Sequence, residues 1–254
     1  MRGLFSLLLP IVAAAFSESP WFATPFEVDV APSYTYIHYP SIAGSEPQGG
    51  GSDDSITALT LESTITETWR AGAVCEGAST TLRSFGIRSA AASADYLILD
   101  DTGGDPLALS CGGVVRWAKS RYLSDPSTPY AANLDIAARL SIGKEWAPLY
   151  TWTWRLWGRC LFGCGNRGAP YILPKLACDV QVGRRNVCSL FSEVYLGFGG
   201  EERVDIPRFN GYGPIHHQSL DIGLSYMREM GIYGSLLVAF AYRPLARNYP
   251  EQAS

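Results

Sequence analysis

"YTWTWRLWGRCLFGCG", Tyr150 to Gly165, sets three tryptophans and a tyrosine beside Arg155 and Arg159. A soluble core rarely buries two arginines, and an ordinary surface rarely exposes so much tryptophan. Read with period two, Tyr150, Trp152, Trp154, Leu156, Gly158, Cys160 and Phe162 share one face. Thr151, Thr153, Arg155, Trp157 and Arg159 share the other. A helical period also aligns Thr151, Arg155 and Arg159. Composition favours the strand, since Tyr, Trp and Thr suit a pleated backbone and Gly163 and Gly165 close the run.

The same alternation recurs along the chain. "FEVDVAPSYTYIHY", "SITALTLESTI", "WRAGAVCEGAS", "FGIRSAAASADYLIL" and "LALSCGGVVRWA" read as strands, with the breaker cluster "DDTGGDP" between the last two. "YAANLDIAARLSIGKEW" is rich in helix formers. Its Leu134, Ile136, Ala138, Leu140 and Ile142 alternate nonetheless, and it reads as a strand. "YILPKLACDVQV" and "CSLFSEVYLGF" flank the tight turn "GRRN", and "IHHQSLDIGLSYMRE" and "YGSLLVAFAY" complete the series. Three polar loops, 41–54, 120–129 and 199–213, are separated by four strands each and so fall on one side. The strands number about eleven. Closed barrels of bacterial outer membranes use even numbers, so the expectation is ten to twelve.

Bulk properties narrow the class. Charged residues make up 17% of the 254-residue chain, below the usual ~25% of soluble domains. The formal charge of −4, with no Lys/Arg-rich stripe, excludes a nucleic-acid partner. Arg2 followed by the apolar run Leu4–Phe16 and small residues reads as a signal peptide over 1–17, leaving 18–254 as one exported domain. Cys75, Cys111, Cys160, Cys164, Cys178 and Cys188 fit an oxidising compartment and are candidates for disulfides of undetermined connectivity. Their spacing does not match a zinc site, and neither a metal nor a cofactor is expected.

Amphipathic strands of this kind close either as a β-sandwich or as a membrane barrel. Modest polar faces, aromatics near strand ends and long loops alternating with tight turns favour the barrel. The reading is an all-β, closed antiparallel transmembrane β-barrel. Tyr150, Trp152, Trp154, Leu236, Val238, Phe240 and Tyr242 would then face lipid. Asp135, Arg139, Arg155, Arg159, Lys175, Asp179, Glu193 and Asp221 would point into the lumen, pairing across it or lining a pore.

"WFATPFEVDVAPSYTYIHYP", "ETWRAGAV", "FNGYGPIHHQSLDIGLSY" and "LLVAFAYRPLARNYPE" together resemble uncharacterised outer-membrane β-barrel proteins of chlamydiae and chlamydia-like bacteria. The resemblance implies residence in the cell outer membrane, in an envelope rich in cysteine cross-links. Its implied partners are membrane lipid, the outer-membrane assembly machinery and other cysteine-rich envelope proteins. It carries no active-site residues.

Two enzymatic readings stand beside the structural one. His217-x-Ser219 places a base and a nucleophile on one strand face, with Glu229 further along to orient the histidine. This element is similar to the His-x-Ser of outer-membrane lipid A deacylases and, more loosely, of outer-membrane phospholipases. Asp53, Asp54, Asp205 and His216, in or beside the loops, could serve a barrel-mouth protease. The leading expectation is a narrow pore or structural envelope component with a charged lumen. A barrel-embedded lipid hydrolase and a secreted β-sandwich binding protein are the alternatives.

Overall fold

The computed structural model describes residues 18–149, 152–183 and 185–251. The signal-peptide reading over 1–17 and the lipid-facing reading of Tyr150 lie outside the described residues. The alternating segments become strands: β1 (Val28–Tyr39), β2 (Ser41–Ile42), β3 (Ser45–Glu46), β4 (Ser52–Thr64), β5 (Trp69–Ser79), β6 (Gly86–Leu99) and β7 (Ala108–Ala118). After a single turn of helix, α1 (Ser120–Leu123), come β8 (Leu134–Leu149), β9 (Trp152–Gly165), β10 (Tyr171–Val182) and β11 (Asn186–Phe198). The last are β12 (Val204–Asp205), β13 (His216–Glu229), β14 (Ser235–Arg247) and β15 (Pro250–Glu251). The alanine- and leucine-rich run at Leu134 is thus a strand: its period-two pattern overrides helix propensity.

Eleven of these strands form one antiparallel sheet in the order β1-β4-β5-β6-β7-β8-β9-β10-β11-β13-β14, each beside its neighbour in sequence. Among the described residues no second large sheet lies against it, which removes the sandwich reading. The closed barrel is corrected as well: β1 and β14 are not paired, and the sheet is an open half-barrel. The reason is parity. In a meander of eleven strands the first and last run in the same direction, so no antiparallel pair can close the ring.

The two margins are nevertheless drawn together at one end. There β15 pairs with β2, matching Pro250 with Ile42 and Glu251 with Ser41. The Ser41 hydroxyl donates to Glu251 at 2.5 Å, and the Ala43 amide donates to the Tyr249 carbonyl at 3.0 Å. Asn248 makes the reversal that brings the chain back, in the left-handed region at φ 52°, and its amide donates to the His216 carbonyl at 2.7 Å. At the other end of the margins Val28, Val30, Leu236, Leu237 and Val238 are all exposed.

The same end carries the three polar loops anticipated from sequence, now residues 40–51, 119–133 and 199–215. Connections 65–68, 100–107 and 230–234 lie at the opposite, turn end. Side chains alternate between a buried and an exposed face of the sheet throughout. At the loop end the buried face is packed with rings: Tyr171, Tyr195, Phe209, Tyr212 and Tyr249 belong to one cluster. Gly197 makes room for it, because a Cβ there would sit 2.0 Å from the His217 ring. Gly197→Ala is therefore expected to destabilise by about 1–3 kcal/mol through overpacking. Gly200→Ala, which meets nothing within 4 Å, should leave stability unchanged. The temperature at which the folded band disappears on a semi-native gel compares the two.

Candidate functional site

The buried face of the sheet is where the chemistry lies, because it holds charge. Small residues on neighbouring strands, among them Gly72, Ala91 and Gly112, leave room for long side chains to cross it, and a Cβ on Gly112 would lie 2.0 Å from the Asp95 carboxylate. Asp95 on β6 receives Arg139 of β8 through Nε at 2.9 Å and through Nη2, and Arg70 of β5 at 3.4 Å. Glu76 on β5 accepts from Arg88 Nε at 3.2 Å, from Ser89 and from the Tyr130 hydroxyl at 2.9 Å. Asp221 on β13 takes a two-pronged contact from Arg243 of β14, 2.7 and 2.9 Å, and the guanidinium lies 4.7 Å over the Tyr249 ring. Such pairs give each buried charge an oppositely charged, hydrogen-bonded partner.

A second group lies toward the turn end, around a segment that belongs to no strand. Residues 18–22 run along the buried face, with Glu18, Pro20 and Trp21 themselves buried. Arg159 Nη2 contacts Glu193 at 2.6 Å, and Arg159 Nη1 lies 2.8 Å from Glu18 Oε1. The Lys175 ammonium donates to Glu18 Oε2 at 2.5 Å. Trp21 donates from its indole to Asp101 at 2.7 Å, and Arg155 stacks 4.8 Å over the Trp21 ring.

The residues singled out in the sequence are therefore placed as follows. Arg139, Arg159, Lys175, Glu193 and Asp221 join the buried pairs just described. Asp179 accepts from the Trp157 indole at 2.8 Å. Asp135 is buried opposite Arg116, far along β8 from the arginines of β9 that it was expected to meet. Arg155 is only partly covered and pairs with Glu145 at 2.6 Å. On the exposed face stand Trp152, Trp154, Leu236, Val238 and Phe240, with Tyr242 half-buried.

The expected disulfides are absent: all six cysteines are free. Each occupies an outward register position opposite a non-cysteine. Cys75 faces Leu59, Cys111 and Cys160 both face Leu140, Cys164 faces Ile136, Cys178 faces Leu156, and Cys188 faces Val180. No two are register partners on adjacent strands, so none is directly opposed for a bridge.

The catalytic reading loses its third member. His217 and Glu229 lie at opposite ends of β13, roughly 40 Å apart at strand rise. The imidazole is clamped instead by Tyr195, Tyr212 and Tyr249, with Nδ1 3.0 Å from the Ile215 carbonyl. No hydrogen bond joins it to Ser219 among the described residues. The protease candidates are likewise dispersed. Asp53 accepts from Tyr36 and pairs with His38, Asp54 is buried against Ser52, Asp205 faces Arg208, and His216 contacts Gln218.

Several members of the buried network escaped the sequence reading. Arg70, Glu76 and Asp95 sit at alternating positions within strands already recognised, so the same period-two count would have found them; Arg88 is put out of phase by a bulge opposite Glu76/Gly77, and Arg243 lies one residue beyond the strand read from sequence. Glu18 carries no such signal, since it precedes the first strand. In the loops above, burial raises the phenols of Tyr130, Tyr212 and Tyr249 well beyond the usual range and keeps them neutral.

Two measurements check this arrangement. Asp221→Ala, which removes the two-pronged carboxylate contact of the buried Arg243, should cost about 3–5 kcal/mol in urea unfolding. Arg203→Ala, at the exposed pair with Glu46, should barely move the midpoint. Fatty-acid release from acylated lipid should be the same for the native chain and Ser219→Ala.

No family model matches the chain, and no curated protein matches it in sequence. Among solved structures it is similar to the COG4313 outer membrane channel from Pseudomonas putida F1, with a TM-score of 0.63 over 91% of this chain and 93% of that one. Sequence identity is 9%, so the likeness is one of fold: an all-β, largely antiparallel, barrel-like sheet.

Proposed function

We propose that this chain is an outer-membrane β-barrel channel, narrow and lined with charge. One observation carries the reading: the sheet is inside-out. Leu59, Leu61, Ile136, Leu140, Ile142 and Leu224 are exposed, while Arg70, Arg88, Asp95, Arg139, Arg159 and Arg243 are buried. A soluble chain would leave that apolar belt in water, at about 25 cal/mol per Å². A bilayer takes it up.

Aromatic positions support the same reading. Trp69, Tyr96, Trp146, Trp152, Trp154 and Tyr226 gather toward the turn end, and Phe85, Trp117, Phe162 and Phe198 toward the loop end. Two such girdles mark the headgroup levels of membrane barrels. The fold likeness to a channel adds to this. In hydrocarbon an unpaired strand edge costs several kcal/mol per group. The ladder of β2 and β15 draws the two margins of the open sheet together at the loop end.

The test is twofold. The purified whole protein should migrate faster unheated than boiled, and it should produce small conductance steps in planar bilayers. Identical migration with a silent bilayer would overturn the reading.

A further inference from the structure

We propose that Arg159 and Lys175 form a carboxylate-binding site that the chain's own Glu18 occupies, and that the solutes it takes are small organic carboxylates. The inference deepens the channel reading and rests on it.

Two cations meet one carboxylate, Lys175 through a hydrogen bond and Arg159 through a close ion pair. Arg159 of β9 and Lys175 of β10 are directly opposite in register. Each reaches a different oxygen of one carboxyl group, Nη1 to Oε1 at 2.8 Å and Nζ to Oε2 at 2.5 Å. Convergence of two cations on the two oxygens of a planar group is the geometry by which proteins recognise carboxylates. The Arg159 side chain is fully buried and Lys175 is 19% exposed, so little water competes for the anion.

The present occupant is removable. Glu18 lies in an extended segment that pairs with no strand. Side chains of the wall hold its backbone: Ser141 donates to the Glu18 carbonyl at 3.0 Å, and Arg70 donates to the Ser19 and Trp21 carbonyls at 3.3 Å each. The wall is shaped to it as well, since a Cβ on Gly143 would lie 2.6 Å from the Trp21 ring. The segment is thus a ligand docked on the sheet, with its carboxylate in the cationic seat.

Its departure leaves a positive excess. Arg139 keeps Asp95, Arg155 keeps Glu145, and Arg159 keeps Glu193. Lys175 loses its ion pair, because that pair is with Glu18. A solute carboxylate restores what the segment removed, so solute and segment compete for one seat. Occupancy by the segment closes the path, and exchange for a solute opens it to anions.

Hydrogen exchange of the amides of residues 18–27, in the full-length protein in detergent, reads the competition directly. Sodium succinate should accelerate exchange over sodium chloride of equal ionic strength. Glu18→Gln should exchange roughly tenfold faster in either salt, from loss of a charge-assisted contact. Lys175→Gln should lose the response to succinate, and Lys175→Arg should retain it, with strand amides protected in both. Equal exchange in the two salts, or a succinate response that persists in Lys175→Gln, overturns the site. In planar bilayers Glu18→Gln should show an anion-selective reversal potential; cation selectivity overturns the proposed path. Bilayers silent for every variant would refute the channel, while the exchange result would still decide the site.

Discussion

A charge kept away from water must be paired, and that requirement organises this protein. The sheet turns a face rich in arginine and carboxylate inward, so each long side chain has to find a partner across neighbouring strands. Asp95 gathers two arginines, Asp221 takes both prongs of Arg243, and Glu76 collects an arginine and two hydroxyls. Small residues in β5, β6 and β7 are the counterpart of this demand, since a guanidinium spanning the interior needs space that a second large side chain would fill. One carboxylate is supplied from outside the sheet, by Glu18.

The number of strands is the second constraint. An even meander ends antiparallel to its beginning and closes by extending its own hydrogen-bond pattern. With eleven, β1 and β14 point the same way and the pattern stops. The molecule joins its margins by other means: a two-residue ladder between β2 and β15, and a cation set over rings from both sides of the seam, Arg243 above Tyr39 and Tyr249.

Much of the fold was legible because strand alternation is a local signal. The stretch from Trp152 to Gly165 divides as its period implied, with Trp152, Trp154 and Phe162 exposed and Arg159 buried. The placing of three loops on one end followed from counting strands between them. Closure was not legible, since it depends on whether the count is odd or even, and a single mis-split hairpin changes that. The partners of the buried arginines were half legible. Arg159 does meet Glu193, but Asp135 faces Arg116, because register is set by hairpins whose loop conformations the sequence leaves open. His217 and Ser219 showed the opposite failure: a spacing that suits chemistry also suits packing under a ring of tyrosines. Glu18 could not be read at all, as no periodicity governs a segment outside the sheet.

The ladder between β2 and β15 bears on the order in which the molecule is assembled. It joins Ser41 to Glu251, 210 residues apart. Every other neighbouring pair of strands in the sheet is consecutive and can form as a hairpin once its two members exist. The staple, like the parallel ladder that joins β3 to β12, must wait for residues far along the chain, and closing such long loops carries a large entropic cost. Insertion can therefore proceed hairpin by hairpin with the sheet still able to curl. The short strand that follows β14 then fixes its curvature.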